Sequence, residues 1–254
     1  MTIGDLDMPG TRDLARGTRL KHLSIGLLIM AGLSPPRGAL AQHRDSLPSH
    51  RWEVSVTLGQ SVGPAMWNME HALEAGDFGD DLCLVFCIEE PRHHLGRRTV
   101  RVAAGYALRP RVRVRLELLW ADLGTAEGYR APFIWLNLRP AARTVALSVV
   151  AGDMYRLGAG PALQIVDLLQ SDGSGEPWRR HSRLVRPGLL LSGSLVTTTG
   201  GRLFGTAALE AVLTGPATVG PFVARDNSGG LATLPAHRIQ LSYVTARVGV
   251  GLRL

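Results

Sequence analysis

From Arg111 to Trp120 the chain reads Arg-Val-Arg-Val-Arg-Leu-Glu-Leu-Leu-Trp, an alternation of charged and apolar residues with a period of two. Successive side chains of a β-strand point to opposite faces, whereas a helix would scatter these arginines around its circumference. The segment is predicted as a strand with Val112, Val114, Leu116, Leu118 and Trp120 on one face. Arg111, Arg113, Arg115, Glu117 and Leu119 lie on the other. The same pattern sets Trp52, Val54, Val56 and Leu58 against Glu53, Ser55, Thr57 and Gly59. It sets Val100, Val102, Ala104, Tyr106 and Leu108 against Thr99, Arg101, Ala103, Gly105 and Ala107. Finally, Val248, Val250, Leu252 and Leu254 oppose Arg247, Gly249, Gly251 and Arg253. Weaker alternation places strands near 143–151, 155–168, 183–198 and 201–213.

The breaks between these segments alternate in length. Short turns fall at Arg109-Pro110, near Gly152-Asp153 and at Thr198 to Gly201, where Pro or Gly supplies the angles of a tight reversal. Long connections span 63–97, 121–142, 169–182 and 214–236. Eight antiparallel strands with both termini on the short-turn side account for that order, as in an up-and-down barrel with short turns at one rim and long loops at the other. One stretch, 132–157, admits two readings. Phe133-Ile134-Trp135-Leu136-Asn137-Leu138-Arg139 can serve as the fourth strand, with a turn at Pro140-Ala141-Ala142 and a long fifth strand from 144; either version keeps eight.

Arg12, Arg16, Arg19 and Lys21 precede the apolar run Leu23 to Leu33, followed by Pro35, Pro36, Gly38 and then Ala39-Leu40-Ala41. A basic segment, an apolar segment of about eleven residues and an A-x-A site are the parts of a secretory signal, so residues 1–41 are expected to be removed after Ala41 and 42–254 to form one folded domain. No stretch reaches the roughly 18 apolar residues of a spanning helix. Of the 28 basic residues only Lys21 is a lysine, so the net charge of +7 reflects an arginine bias as much as a binding patch.

Periodicity alone does not say which face looks inward. In a lipocalin-like soluble barrel the apolar face fills the interior, and in a membrane barrel it meets lipid. Three features favour lipid. Trp52, Tyr106 and Trp120 sit on the apolar face near strand ends, as an interfacial aromatic girdle requires. Ala103, Gly105, Ala107, Gly249 and Gly251 leave room for long arginines on the polar face. The third is the final segment, Arg247-Val248-Gly249-Val250-Gly251-Leu252-Arg253-Leu254. It resembles the C-terminal assembly signal of outer-membrane β-barrel proteins, with Arg247 at the polar place, Gly249 at the glycine, and Leu252 and Leu254 at the two apolar places. The family usually ends on Phe or another aromatic, where this chain has Leu254. Within that class the chain is similar to small eight-stranded barrels of the OmpA-like and OmpX-like type. The resemblance implies an all-β, antiparallel transmembrane barrel in a bacterial outer membrane. It also implies handling by the barrel-assembly machinery, contact with outer-membrane lipid and lipopolysaccharide, and a monomeric state.

Glu53, Arg101, Arg113, Arg115, Glu117, Glu210 and Arg247 fall on the predicted polar face, where a narrow lumen would force them to pair and plug the interior. The leading expectation is a non-enzymatic barrel with a structural or surface-interaction role, presenting four outer loops and needing no cofactor. A narrow pore for small or anionic solutes is the alternative. Two others are a periplasmic lipocalin-like binder of an apolar ligand and a rim enzyme that modifies lipid. The last would need Ser, His and an acid together; His181-Ser182, His237 with Ser242, and Glu210 are the nearest material.

The first long loop is the most unusual. Pro64 to Gly76 has helical spacing of Met66, Met69 and Leu73. Asp77, Asp80, Asp81, Glu89 and Glu90 surround Cys83 and Cys87, the candidate disulfide of an oxidising compartment. With His93 and His94 these acids show no recognised ligand spacing, and no metal site is predicted. A basic cluster in the third loop, Arg179, Arg180, His181, Arg183 and Arg186, suits lipid phosphates at the rim. No aromatic platform for nucleic acid accompanies it.

Overall fold

A computed structural model describes residues 51–79, 98–130, 134–173, 177–198, 201–225 and 229–254. The segment assigned to the signal, the Cys83–Cys87 pair with its neighbouring acids and histidines, and the centre of the turn at 198–201 lie outside them. In chain order the elements are β1 (Trp52–Val62), α1 (Ala65–Ala75), β2 (Thr99–Arg109), β3 (Val112–Asp122), β4 (Ala126–Arg130), β5 (Ile134–Gly152) and β6 (Tyr155–Ser171). There follow β7 (Arg179–Thr198), β8 (Leu203–Thr214), β9 (Ala217–Val219), β10 (Phe222–Arg225), β11 (Leu231–Leu234), β12 (His237–Ile239) and β13 (Tyr243–Arg253).

Eight of the strands close on themselves. Each of β1, β2, β3, β5, β6, β7, β8 and β13 pairs antiparallel with its neighbour, β3 pairing with β5 and β13 with β1. Following partners round the wall from Trp52 gives Tyr106, Val114, Val149, Ala159, Leu191, Ala211 and Val244. The path returns to β1 at Val62, ten residues beyond its start. For eight strands that stagger corresponds to a tilt of about 40° and a backbone radius of about 8 Å, room enough for side chains and little else. An eleven-residue strand at this tilt rises about 28 Å.

The wall is uneven. β5, β6 and β7 run 19, 17 and 20 residues, against 11 or 12 for the other five. β5 continues unbroken through Pro140, so Ile134 to Arg139 is not a separate fourth strand, and no turn occurs at Pro140-Ala142. Above the end of β3, β5 pairs with the short β4 instead. Leu123 N–H donates to the Pro140 carbonyl at 3.1 Å. A residue's N–H and C=O point the same way in a strand, so the missing proline N–H faces the gap between β3 and β4, where no ladder bond is lost. The connections expected at 121–142 and 169–182 are correspondingly shorter, and the basic segment from Arg179 is strand rather than loop.

At the outward end α1 and the segment 217–239 form a cap. Proline's fixed φ suits the start of a helix, and Pro64 has φ −71°. The helix ends at Gly76, and Phe78 N–H returns to the Leu73 carbonyl at 2.9 Å. Ala65, Met66, Met69 and Leu73 form its buried face. Segment 217–239 is a nested hairpin, β10 on β11 and β9 on β12. Phe222, Ala224, Leu234 and Ile239 turn inward from it to join Met69, Leu73, Leu136 and Leu138 in one core. That core continues down into the barrel through Leu119, Val166, Leu190, Val212 and Tyr243.

Candidate functional site: lumen, cap and outer wall

Strand parity fixes what enters the lumen. All seven charged residues named from the sequence are on the inner face: Glu53, Arg101, Arg113, Arg115, Glu117, Glu210 and Arg247 are each 6% exposed or less. Arg156, which the sequence reading passed over, joins them at 1%. Its signal was available: it shares parity with Gly158, Gly160 and Ala162, which continue the small inward positions.

These groups form two layers. In the lower one, three guanidinium groups converge on one carboxylate. Arg156 Nη1 donates to Glu53 Oε1 at 2.8 Å and Oε2 at 3.1 Å, Arg115 Nη2 donates to Oε1 at 3.0 Å, and Arg113 Nε lies 3.4 Å from Oε2. Arg156 Nε and Arg113 Nη1 also donate to the Asp153 and Gly152 carbonyls, which ties the cluster to the short turn below it. Gly105 makes the space, since a Cβ there would lie 3.0 Å from Glu53 Cγ. In the upper layer Arg247 pairs with Glu210, Arg101 bridges Glu210 at 3.4 Å and Glu117 at 2.5 Å, and Ser148 Oγ donates to Glu117 at 2.5 Å. This chain crosses the lumen from β8 and β13 to β2, β3 and β5. Above it apolar side chains increase, interspersed with the buried hydroxyls of Ser61, Thr99, Thr214 and Thr245; Tyr243 Oη meets Thr144 Oγ1 at 3.0 Å and Gln164 Nε2 donates to the Leu241 carbonyl at 3.1 Å.

The catalytic material does not assemble. Glu210 is committed to the lumen pairs. Ser242 Oγ donates to the Thr214 carbonyl and accepts from Gln240 Nε2 at 2.8 Å. His181 and His237 flank the Phe222 ring, with centroids at 4.4 and 5.9 Å. A bulge between Leu168 and Leu169 re-aims this part of β7 and splits the basic cluster. Arg180 and Arg183 turn outward to Asp167, His181 turns to the cap, and Arg186 pairs in register with inward Gln164. Arg179, Arg180, His181 and Arg225 line an open cleft of about 490 Å³ between β7 and β10. Among the described residues, no group of His, Cys, Asp and Glu is arranged to hold a metal ion.

The outer face decides the solvent. Val56, Leu58, Leu108, Leu116, Leu147, Val149, Leu157, Leu163, Leu189, Leu209, Val244, Val248 and Val250 are all 41% exposed or more and together encircle the wall. Water cannot be the partner of so continuous an apolar surface around a charged interior. The chain is an eight-stranded transmembrane β-barrel. Its lower rim carries Trp52 and Tyr106, with ring centroids 4.9 Å apart, and Tyr155; Trp120 stands at the upper edge of the apolar band. In the closing strand Leu252 and Leu254 lie on the lipid side, while Arg247 and Gly249 face the lumen.

No protein-family model matches the sequence, and no curated protein matches it. Solved structures do. The barrel is similar to a major outer membrane protein from Thermus thermophilus at 14% identity, over 82% of this chain and 100% of that one, with a TM-score of 0.47. It is similar to Neisserial surface protein A at 10% identity, over 83% and 100%, with a TM-score of 0.35. Ail, the attachment invasion locus protein of Yersinia pestis, matches at 10% identity over 80% and 99%, with a TM-score of 0.37. At such identities the architecture rests on the barrel's own register and outer face.

Proposed function

We propose that this protein is a non-enzymatic resident of a bacterial outer membrane, exported with residues 1–41 as a cleaved signal. Its lumen is closed by its own side chains, and its outward end is a folded cap for surface interaction. The observation that carries the reading is the pair of buried Arg/Glu layers beneath a continuous apolar core. In a barrel of about 8 Å radius these leave no continuous water path. The C-terminal pattern supports delivery by the barrel-assembly machinery, and the closed ring supports a monomer.

The test is conductance in planar lipid bilayers. The full mature chain is expected to insert without steady single-channel current. Steady current from the unaltered protein would overturn the closed lumen in favour of a narrow pore. Such a pore would favour anions, because five buried arginines face three buried glutamates inside, with half-buried Arg186 above them.

A further inference from the structure

Beside the Arg139–Asp122 ion pair, the outer wall carries a larger group of charges that neither the lumen nor the cap uses. Asp167 on β6 is buried beneath three arginines from the two flanking strands, Arg143 on β5 and Arg180 and Arg183 on β7. Arg183 Nε donates to its Oδ1 at 2.7 Å, Arg180 Nε lies 3.3 Å from the same atom, and Arg143 Nη2 lies 3.7 Å from Oδ2. The arginine side chains remain 45–59% exposed, so their other donors face outward, whereas Asp167 is only 6% exposed behind them. The group therefore presents two net positive charges to whatever covers the wall.

Register fixes its height. Arg143, Ile165 and Val185 share one cross-strand row, with Trp120 beside Arg143. Directly below come Val145, Leu163 and Pro187, then Leu147, Pro161 and Leu189, then Val149, Ala159 and Leu191, all outward and apolar. The arginines thus stand at the upper edge of the band that meets acyl chains. The opposite wall has no counterpart: β8, β13 and β1 carry no basic residue on their outer faces.

We propose that this wall binds the phosphate monoester of a phosphorylated glycolipid in the outer leaflet, with Arg143, Arg180 and Arg183 as the phosphate cradle and the apolar rows below seating its acyl chains. The inference rests on the membrane reading above. A phosphate monoester bears about −1.5 to −2 near neutral pH, matching the cradle's net charge, whereas a phosphodiester headgroup bears about −1. Guanidinium groups stay charged and offer paired donors to phosphate oxygens. Asp167 supplies the device that lets three arginines converge: it offsets their mutual repulsion from behind while leaving their outer edges free.

The mature barrel is reconstituted in phosphatidylcholine vesicles containing either bis-phosphorylated lipid A, the same lipid dephosphorylated, or phosphatidylglycerol at equal charge, and retained lipid is measured after detergent exchange. The parent should retain the phosphorylated lipid about tenfold over either comparison lipid. Arg143→Gln with Arg180→Gln and Arg183→Gln should abolish the preference, whereas Arg109→Gln with Arg111→Gln and Arg202→Gln, at the other rim, should leave it. Arg143→Gln alone, at the longest contact, gives a partial loss that does not depend on the triple variant folding. Equal retention of phosphatidylglycerol, or equal loss in both triple variants, would overturn the cradle as mere charge attraction. A chain that fails to insert in any vesicle would refute the membrane reading itself; an inserted barrel indifferent to the phosphate refutes this site alone.

Discussion

Glu53→Gln is the sharpest test of the closed lumen. The substitution keeps the side chain's shape and removes the one negative charge among Arg113, Arg115 and Arg156, whose contacts to it lie between 2.8 and 3.4 Å. Glu53 is 6% exposed, so little water can take over the lost compensation. Breaking a buried ion pair by deleting one partner costs about 3–5 kcal/mol, because the surviving charge is left buried without a counter-charge. Here three cations survive, which puts the expected loss at the upper part of that range. With a urea slope of about 2 kcal/mol/M, the unfolding midpoint of the refolded barrel in detergent should fall by about 2–2.5 M. Adding Arg156→Gln removes one of the stranded cations and should restore part of the loss, a positive coupling that a double-mutant cycle reads directly. A Glu53→Gln barrel within about 1 kcal/mol of its parent would refute the reasoning, since only a water-filled, well-screened lumen tolerates three adjacent guanidinium groups so cheaply.

Three further outcomes are expected. Val149→Arg, in the middle of the outward apolar band, should cost about 2–4 kcal/mol if that face meets lipid, and under about 0.5 kcal/mol if it meets water; equilibrium unfolding in lipid vesicles distinguishes these. Met69→Ala empties a fully buried site between α1 and the hairpin, so amide exchange in the cap should quicken as about 2–5 kcal/mol of packing is lost, while the strands below Thr144 keep their protection. Burial holds the His237 imidazole below its ordinary pKa of 6.5, with the Pro235 carbonyl partly opposing the shift. The folded cap therefore favours the neutral ring: its stability is complete above about pH 6.5 and is lost as pH falls from there through the lowered folded value. Exchange protection of 229–241, corrected for intrinsic rates, should drop between about pH 7.5 and 5.5, and His237→Asn should flatten that drop.

The barrel was legible in the sequence wherever the information is local. Parity along a strand is set by the backbone alone, so Arg113 and Glu117 could be assigned to one face without knowing any partner. Strand ends were less legible. Pro140 resembles a turn residue until β4 is seen to take over pairing just where its missing donor would have mattered. Arg156 was readable by the same parity and went unnoticed because its neighbours on that face are glycines and alanine rather than charges. The outer-wall group was readable only in part: Arg180 and Arg183 belong to the basic run, but nothing local joins them to Arg143 or Asp167. Arg143, Asp167 and Arg183 are brought together by register between strands, a non-local property, and the bulge at Leu168/Leu169 divides a basic run that is continuous in the sequence.

The difference in strand length has a geometric consequence of its own. Some eight extra residues on β5, β6 and β7, at a rise of about 3.3 Å and a tilt of about 40°, lift one side of the ring roughly 20 Å above the other. The strand wall is therefore a ramp, not a level rim. Extending or shortening the crest by pairs of residues would change how far the protein reaches while leaving the closed ring of eight strands, and thus its seat in the bilayer, as it is.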